Sequence, residues 1–277
     1  MRSEDQKQEG VSRRRWLQGT GVVAVAAATA HLGGLLPGVR ASEGPQKDSG
    51  KRTMMQWPWP YVKLDPTVTA EIAYREWYRL YCGGAVISAI FSQLSEKIGE
   101  PYSSFPVDAF MFLEGGMANW GTVCGSNSGA AIVANLILGP RSLDEDGNGQ
   151  RMTSDIFDWY SASAMPVFVP KEPKIPVADI PHTISESPLC HVSVGKWMAV
   201  SEKPVGSPER KDRCARTAAS VAYHLVELLN EWKDEEYEEY GEWRPVTDEG
   251  INAQQNCMEC HAGGVPQAPR KAGKTGA

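Results

Sequence analysis

Apolar residues return at helical spacing along most of this chain. After Asp65-Pro66, the positions Ala73, Trp77, Leu80 and Tyr81, then Ile87, Phe91, Leu94 and Ile98, share a face, with Gly83-Gly84 as a candidate break. A second region runs from Pro106 through Gly115-Gly116 into a small-residue helix ending at Gly139-Pro140, with Ile132, Val133, Leu136 and Ile137 as its apolar face. Ser207-Pro208 pairs a cap with a first-turn proline. Cys214, Ala218, Val221, Leu225, Leu228 and Trp232 then follow at steps of three and four, the clearest helix in the chain. Strand-like alternation is confined to a Pro-rich stretch around Val167 to Val177. The expected fold class is mostly α, a helical globular domain, and no internal repeat is visible.

The N-terminus reads differently. Ser12-Arg13-Arg14-Arg15-Trp16-Leu17-Gln18 resembles the twin-arginine export consensus. A weakly apolar stretch from Gly21 to Leu36 follows, and Val39-Arg40-Ala41 makes a small-residue cleavage site. His31, Gly33 and Gly34 interrupt the stretch, so a removable signal is expected and no membrane span after its cleavage. The reading divides the chain into a signal at 1–41, a linker at 42–55, a helical domain at 56–240 and a C-terminal segment at 241–277, with export to the periplasm by the twin-arginine route.

Composition excludes some classes. The 277 residues carry a net charge of -6 with both signs interspersed, and no basic patch with interleaved aromatics, so nucleic acid is not expected as a partner. The acidic run Asp234, Glu235, Glu236, Glu238 and Glu239 reads first as a solvated helix end and second as a docking patch for a basic redox partner.

Six cysteines carry the chemistry. Cys257-Met258-Glu259-Cys260-His261 supplies two thiols spaced to add across the vinyl groups of a haem, and at once a His to ligate the iron. Half a zinc site is the alternative, but no Cys or His follows His261 to complete it. Residues 241–277 are therefore read as a segment binding haem c through Cys257 and Cys260, with His261 axial.

Four cysteines remain: Cys82, Cys124, Cys190 and Cys214. Four thiols hold one iron-sulfur cluster or make two disulfides. Twin-arginine substrates leave the cytoplasm folded, commonly after cofactor insertion where thiols stay reduced, and this favours the cluster over the disulfides; four thiols suit [2Fe-2S] or [4Fe-4S], of which [2Fe-2S] is expected. Glycines beside Cys82 and Cys124 fit a close approach of backbone to something bulky, or simple helix packing.

Several segments then resemble a known family. Trp59-Pro60-Tyr61, Tyr81-Cys82-Gly83-Gly84-Ala85, Gly99-Glu100-Pro101-Tyr102, Trp120-Gly121-Thr122-Val123-Cys124-Gly125, Ser187-Pro188-Leu189-Cys190-His191 running on to Trp197, and Arg213-Cys214-Ala215-Arg216 resemble the split-Soret cytochromes c over about residues 57–261. They also resemble the wider group with a C-GCAxxG-C-C pattern, where Gly84 replaces a further Cys. The resemblance implies a mostly helical homodimer with closely placed c-type haems, histidine on both faces of each iron, and Cys82, Cys124, Cys190 and Cys214 as cluster thiolates. Two haems per subunit belong to that family, whereas this chain has one complete motif. Ser187 to His191 could be a degenerate second motif lacking its first Cys.

Two weaker readings complete the picture. Asp144, Asp146, Asn148 and Asp155 have the spacing of a calcium loop, or of a polar turn between helices. For the second axial haem ligand, His224 on the long helix is expected, with His182 as the alternative and His191 beside the cluster cysteine. The function expected is periplasmic electron transfer through haem and iron-sulfur cluster to an unknown redox partner protein. The alternative is a haem and iron-sulfur reductase of a small oxidised substrate.

Overall fold

Asp65 begins the first long helix by the local chemistry its sequence promises: its side chain accepts from the Val68 N–H at 2.9 Å, and Pro66 fills the first turn. This helix, α1, spans Pro66–Ile98. The computed structural model describes residues 57–139 and 149–239. The export signal, the linker 42–55, Asp144, Asp146, Asn148 and the haem motif Cys257 to His261 lie outside those residues. Within them the elements are α1, three short 3-10 helices at Tyr102–Ser104, Val107–Phe110 and Val177–Asp179, α2 (Gly125–Leu138), α3 (Gly149–Ala162), strands β1 (Ala164–Met165) and β2 (Thr183–Ile184), α4 (Cys190–Ser201) and α5 (Pro208–Lys233). The fold is mostly α.

The break in α1 is not at the glycines. Tyr81 takes φ 57° and ψ −162°, and helical geometry resumes at Cys82, so Gly83 and Gly84 lie inside a helix. A left-handed φ on a tyrosine stores about 1–3 kcal/mol and persists only where packing over-determines it. Here Trp77 meets the Tyr81 ring edge-on at 6.1 Å. Beyond the break every residue from 82 to 91 is buried, which makes this half the central rod of the domain.

The other helices surround that rod. Gly129 of α2 lies so close to Gly83 that an added Cβ would stand 2.6 Å from the Gly83 carbonyl oxygen, so this pair of glycines serves helix packing. The buried face of α2 uses Ala130, Val133, Ala134 and Ile137, while Ile132 and Leu136 are only partly buried. On the far side α5 begins at Ser207, whose Oγ accepts from the Arg210 N–H at 3.1 Å. It buries Cys214, Ala218, Val221, Leu225 and Leu228 as the spacing requires. Trp59, Phe91, Tyr102 and Phe105 close one end with edge-on rings 4.9–5.7 Å apart.

The stretch from Val167 to Val177 is not a strand. The two strands lie just outside it and pair antiparallel, Ala164 with Ile184 and Met165 with Thr183. The Val167 and Phe168 N–H groups both donate to Ser220 Oγ, at 3.0 and 2.9 Å, so a side chain of α5 satisfies backbone that a neighbouring strand would otherwise satisfy.

In the acidic run Asp234, Glu235, Glu236 and Glu238 are exposed, as a solvated helix end requires, and Glu239 is half-buried. Asp234 caps α5 and pairs with Lys63, and Glu239 pairs with Arg151 at 2.5 Å. Gly149 already begins α3, so Asp155 lies on a helix rather than in a loop. It is buried and accepts from the Tyr237 hydroxyl at 2.6 Å.

Candidate metal centre

Three helix starts deliver three cysteines. Cys82 opens the second half of α1 just after the Tyr81 break, Cys124 is the N-cap of α2, and Cys190 is the first residue of α4. The first N–H groups of a helix lack internal partners and its N-terminus carries partial positive charge, so such positions favour a thiolate over a thiol. Cys214 comes from the middle of α5.

Backbone pairing clamps two of these starts together. The residues before α2 and those before α4 run antiparallel, with Val123 bridged to Leu189. The Cys124 N–H donates to Pro188 O at 2.8 Å, and the Cys190 N–H donates to Thr122 O at 2.7 Å. The third start is tied in through Leu113. Its carbonyl accepts from Gly83 N–H at 3.1 Å, and a Cβ on Gly125 would meet that oxygen at 2.0 Å and the Cys82 Cβ at 3.0 Å. The glycines flanking the cysteines therefore serve the approach of these segments to one another.

All four cysteines are unbridged; Cys82, Cys124 and Cys214 are buried and Cys190 is half-buried. They share one electrostatic neighbourhood. Burial pushes the Cys82 thiol well up from its ordinary range, and repulsion from Cys214 and Cys124 adds to it. Cys190 is pushed up in the same way, by burial and then by Cys124, Cys214 and Cys82. Among the described residues no three Cys, His, Asp or Glu side chains already stand around a single ion's position.

Hydrogen-bond donors ring the sulfurs. Trp77 Nε1 donates to Cys82 Sγ at 3.3 Å, the Gly115 N–H reaches the same sulfur, and Arg210 approaches Cys214 Sγ at 3.8 Å. The guanidinium of Arg213 is buried and feels Cys214 and Cys124. Its Nη2 donates to Ser193 Oγ at 2.6 Å, and Tyr160 donates to the same hydroxyl at 2.8 Å. Soft thiolates with donors around them suit an iron-sulfur cluster, since a bound cation would deprotonate the Cys82 and Cys190 thiols against the pull of burial. Their origin in four separate elements is unlike the short Cys spacing of structural zinc sites.

The histidines are not part of this group. His191 is exposed, with Nδ1 2.8 Å from Gly121 O. His182 is exposed, with Nδ1 3.3 Å from Ala164 O. His224 is stacked on Trp159 at 4.1 Å between ring centroids, and its Nδ1 faces Glu227 at 3.4 Å. Burial pulls its pKa down to about 4, so the ring is neutral near pH 7, the form in which imidazole binds a metal.

Sequence reasoning missed the helix α4, the bridge between 123 and 189, and any role for Arg213. Only Arg213 left a trace, as the neighbour of a cysteine within a resembling segment.

A family described as "Putative redox-active protein (C_GCAxxG_C_C)" matches residues 81–228, the span that holds all four of these cysteines. The chain belongs to this family. It is also 31% identical over 256 residues to split-Soret cytochrome c of Desulfovibrio desulfuricans (strain ATCC 27774), across 91% of this chain and 87% of that one. A solved structure described as a novel iron centre in the split-Soret cytochrome c from Desulfovibrio desulfuricans ATCC 27774 matches with a TM-score of 0.60 at 32% identity, over 66% of this chain and 76% of that chain. This member of the C_GCAxxG_C_C family is thus a homologue of split-Soret cytochrome c and shares its helical fold.

Proposed function

We propose that the chain is a periplasmic electron-transfer protein, exported folded by the twin-arginine route and working as a homodimer with a separate redox partner protein. Cys82, Cys124, Cys190 and Cys214 would hold an iron-sulfur cluster, of the [2Fe-2S] type. Cys257 and Cys260 would hold haem c, with His261 as one axial ligand and His224 as the other. The observation that carries the reading is that four unbridged cysteines, three of them at helix N-termini, fall within one electrostatic neighbourhood that also includes a buried guanidinium. A relative described as having an iron centre supports it.

When bound, both groups supply one-electron chemistry. The chain's own residues then have separable tasks. The thiolates fix the cluster between helix starts that favour negative charge. Trp77 and Gly115 direct N–H groups at Cys82, and such bonds to sulfur raise a cluster's potential. The rod of α1 keeps water from one side of the site.

The test is a balance sheet on anaerobically purified protein: covalent haem, non-haem iron and acid-labile sulfide per chain. Replacing any one of the four cysteines with Ser should lower iron and sulfide and leave haem staining. Changing Cys257 and Cys260 together to Ala should do the reverse. Two intramolecular disulfides with no sulfide would overturn the cluster, and a high-spin haem that responds to cyanide or nitrite would point to a reductase. Arg13→Lys with Arg14→Lys should leave a cytoplasmic precursor that contains iron and sulfide but no haem. For the axial ligand, His224→Ala should turn a low-spin ferric spectrum high-spin, and the same change in His182→Ala alone would move the ligand to the loop.

A further inference from the structure

Arg213 is 1% exposed. A guanidinium is charged under all ordinary conditions, and leaving it buried without a counter-charge is strongly unfavourable. No carboxylate pairs with it among the described residues. Its partners are a serine hydroxyl and the thiols nearby, and its Nε has no hydrogen-bond acceptor among the described residues.

Other orphaned atoms belong to residues close to the cysteines along the chain. Of the six buried side-chain N and O atoms without a partner among the described residues, four belong to Arg213, Ser126 and Asn127. Ser126 and Asn127 lie in the first turn of α2, two and three residues after Cys124, and Arg213 directly precedes Cys214. Native interiors rarely leave such groups unsatisfied, and the donors among them, Arg213 Nε, Asn127 Nδ2 and the Ser126 hydroxyl, are of the kind that a negatively charged occupant would satisfy.

We propose that Arg213 is the fixed counter-charge of the iron-sulfur site, compensating the four thiolates and their bound core through its unpaired Nε edge, and so holding the reduction potential up. This rests on the cluster reading above. The geometry makes the guanidinium immobile: Nη2 is held by Ser193 of α4, three residues from Cys190, and Ser193 is held in turn by Tyr160 of α3. One side chain thereby joins α3, α4 and α5 around the thiols. Arg213 is a positioning and tuning residue, since adding an electron raises the site's negative charge and a nearby cation favours that state.

The experiment is a redox titration of the full-length, haem-loaded protein with Arg213→Gln and Arg213→Lys, cluster and haem monitored separately. Arg213→Gln should lower the cluster's reduced-to-oxidised ratio at a given potential by about tenfold, which for one electron is about 59 mV. Arg213→Lys should recover most of that, and the haem potential should not move. A fully loaded Arg213→Gln cluster at the wild-type potential overturns the proposal. Should Arg213→Gln fail to fold, electron-nuclear double resonance on unaltered protein labelled with 15N-arginine decides: one guanidinium nitrogen coupled to the reduced cluster is expected, and no coupling overturns the idea. Iron and sulfide assays on the unaltered protein come first. Their absence would remove the cluster reading itself, whereas their presence with an unmoved potential would remove only the role of Arg213.

Discussion

Arg213 and Arg216 sit three residues apart on α5, and each is 1% exposed, yet they live in opposite circumstances. Arg216 closes its own circuit. Its Nε donates to Asp212 Oδ2 at 2.7 Å, its Nη2 donates to Ile175 O, and the Asp212 carboxylate also accepts from the hydroxyls of Tyr74 and Tyr78. Burial, followed by the neighbouring carboxylate, pushes the Tyr74 hydroxyl up from its ordinary range, so it acts as a plain donor. Arg213 has no carboxylate and an orphaned Nε. The first network is complete in the polypeptide, and the second is complete only when something negative joins the thiols. Two buried arginines on one helix thus separate a structural ion pair from a site.

The largest expected effect would break the closed circuit. Asp212→Ala leaves the Arg216 charge buried and unpaired, and should cost about 3–5 kcal/mol of stability by denaturant unfolding. The loss should be the same with iron present or removed, because no hydrogen bond of this network runs to a thiol. By contrast, stripping iron with a chelator should destabilise the unaltered protein and leave Asp212→Ala with the same increment as before. An Asp212→Ala protein that loses iron in proportion to stability would show that the two networks are one.

The next effect lies between the networks and the helix starts. Gly125→Ala would bring a Cβ to 2.0 Å from the Leu113 carbonyl, against backbone rather than a yielding side-chain tip. It should cost about 1–3 kcal/mol, as overpacked cores do, and should lower non-haem iron because Leu113 also anchors the second half of α1 at Gly83, beside Cys82. Unchanged iron content with reduced stability would separate the loop's packing from the site.

What the sequence disclosed follows the range of the interactions. The starts of α1 and α5 were legible at Asp65-Pro66 and Ser207-Pro208, since a cap is made within three residues. The stripe from Cys214 to Leu228 was legible for the same local reason. Gly83-Gly84 misled, because glycine's freedom is needed there for the approach of Gly129, a contact made across the fold. The Tyr81 break, the bridge from Val123 to Leu189 and the different fates of Arg213 and Arg216 all depend on partners far along the chain. Helix α4 was missed because its apolar positions form no clear stripe: only Val192, Ser193 and Trp197 are buried. The four cysteines could be counted as a set, but only the fold shows that three open helices.

The smallest effect uses α4 itself. Gly195 lies in the interior of that helix, exposed, with open space where a Cβ would stand. Gly in a helix interior costs about 0.5–1 kcal/mol relative to Ala through its greater freedom in the unfolded chain, so Gly195→Ala should raise stability by about that much. Gly125 and Gly195 are thus opposites, one excluded from carrying a side chain and the other merely lacking one. The gain should appear as a higher denaturant midpoint with an unchanged slope. Cys190 opens the same helix five residues earlier, yet its backbone is held by Thr122 O and not by anything at Gly195. Iron content and cluster potential should therefore stay at wild-type values. A Gly195→Ala protein that gains stability while its potential moves would mean that α4 tightens on the thiols as a unit, and that the site is set by the whole helix rather than by the clamp at its start.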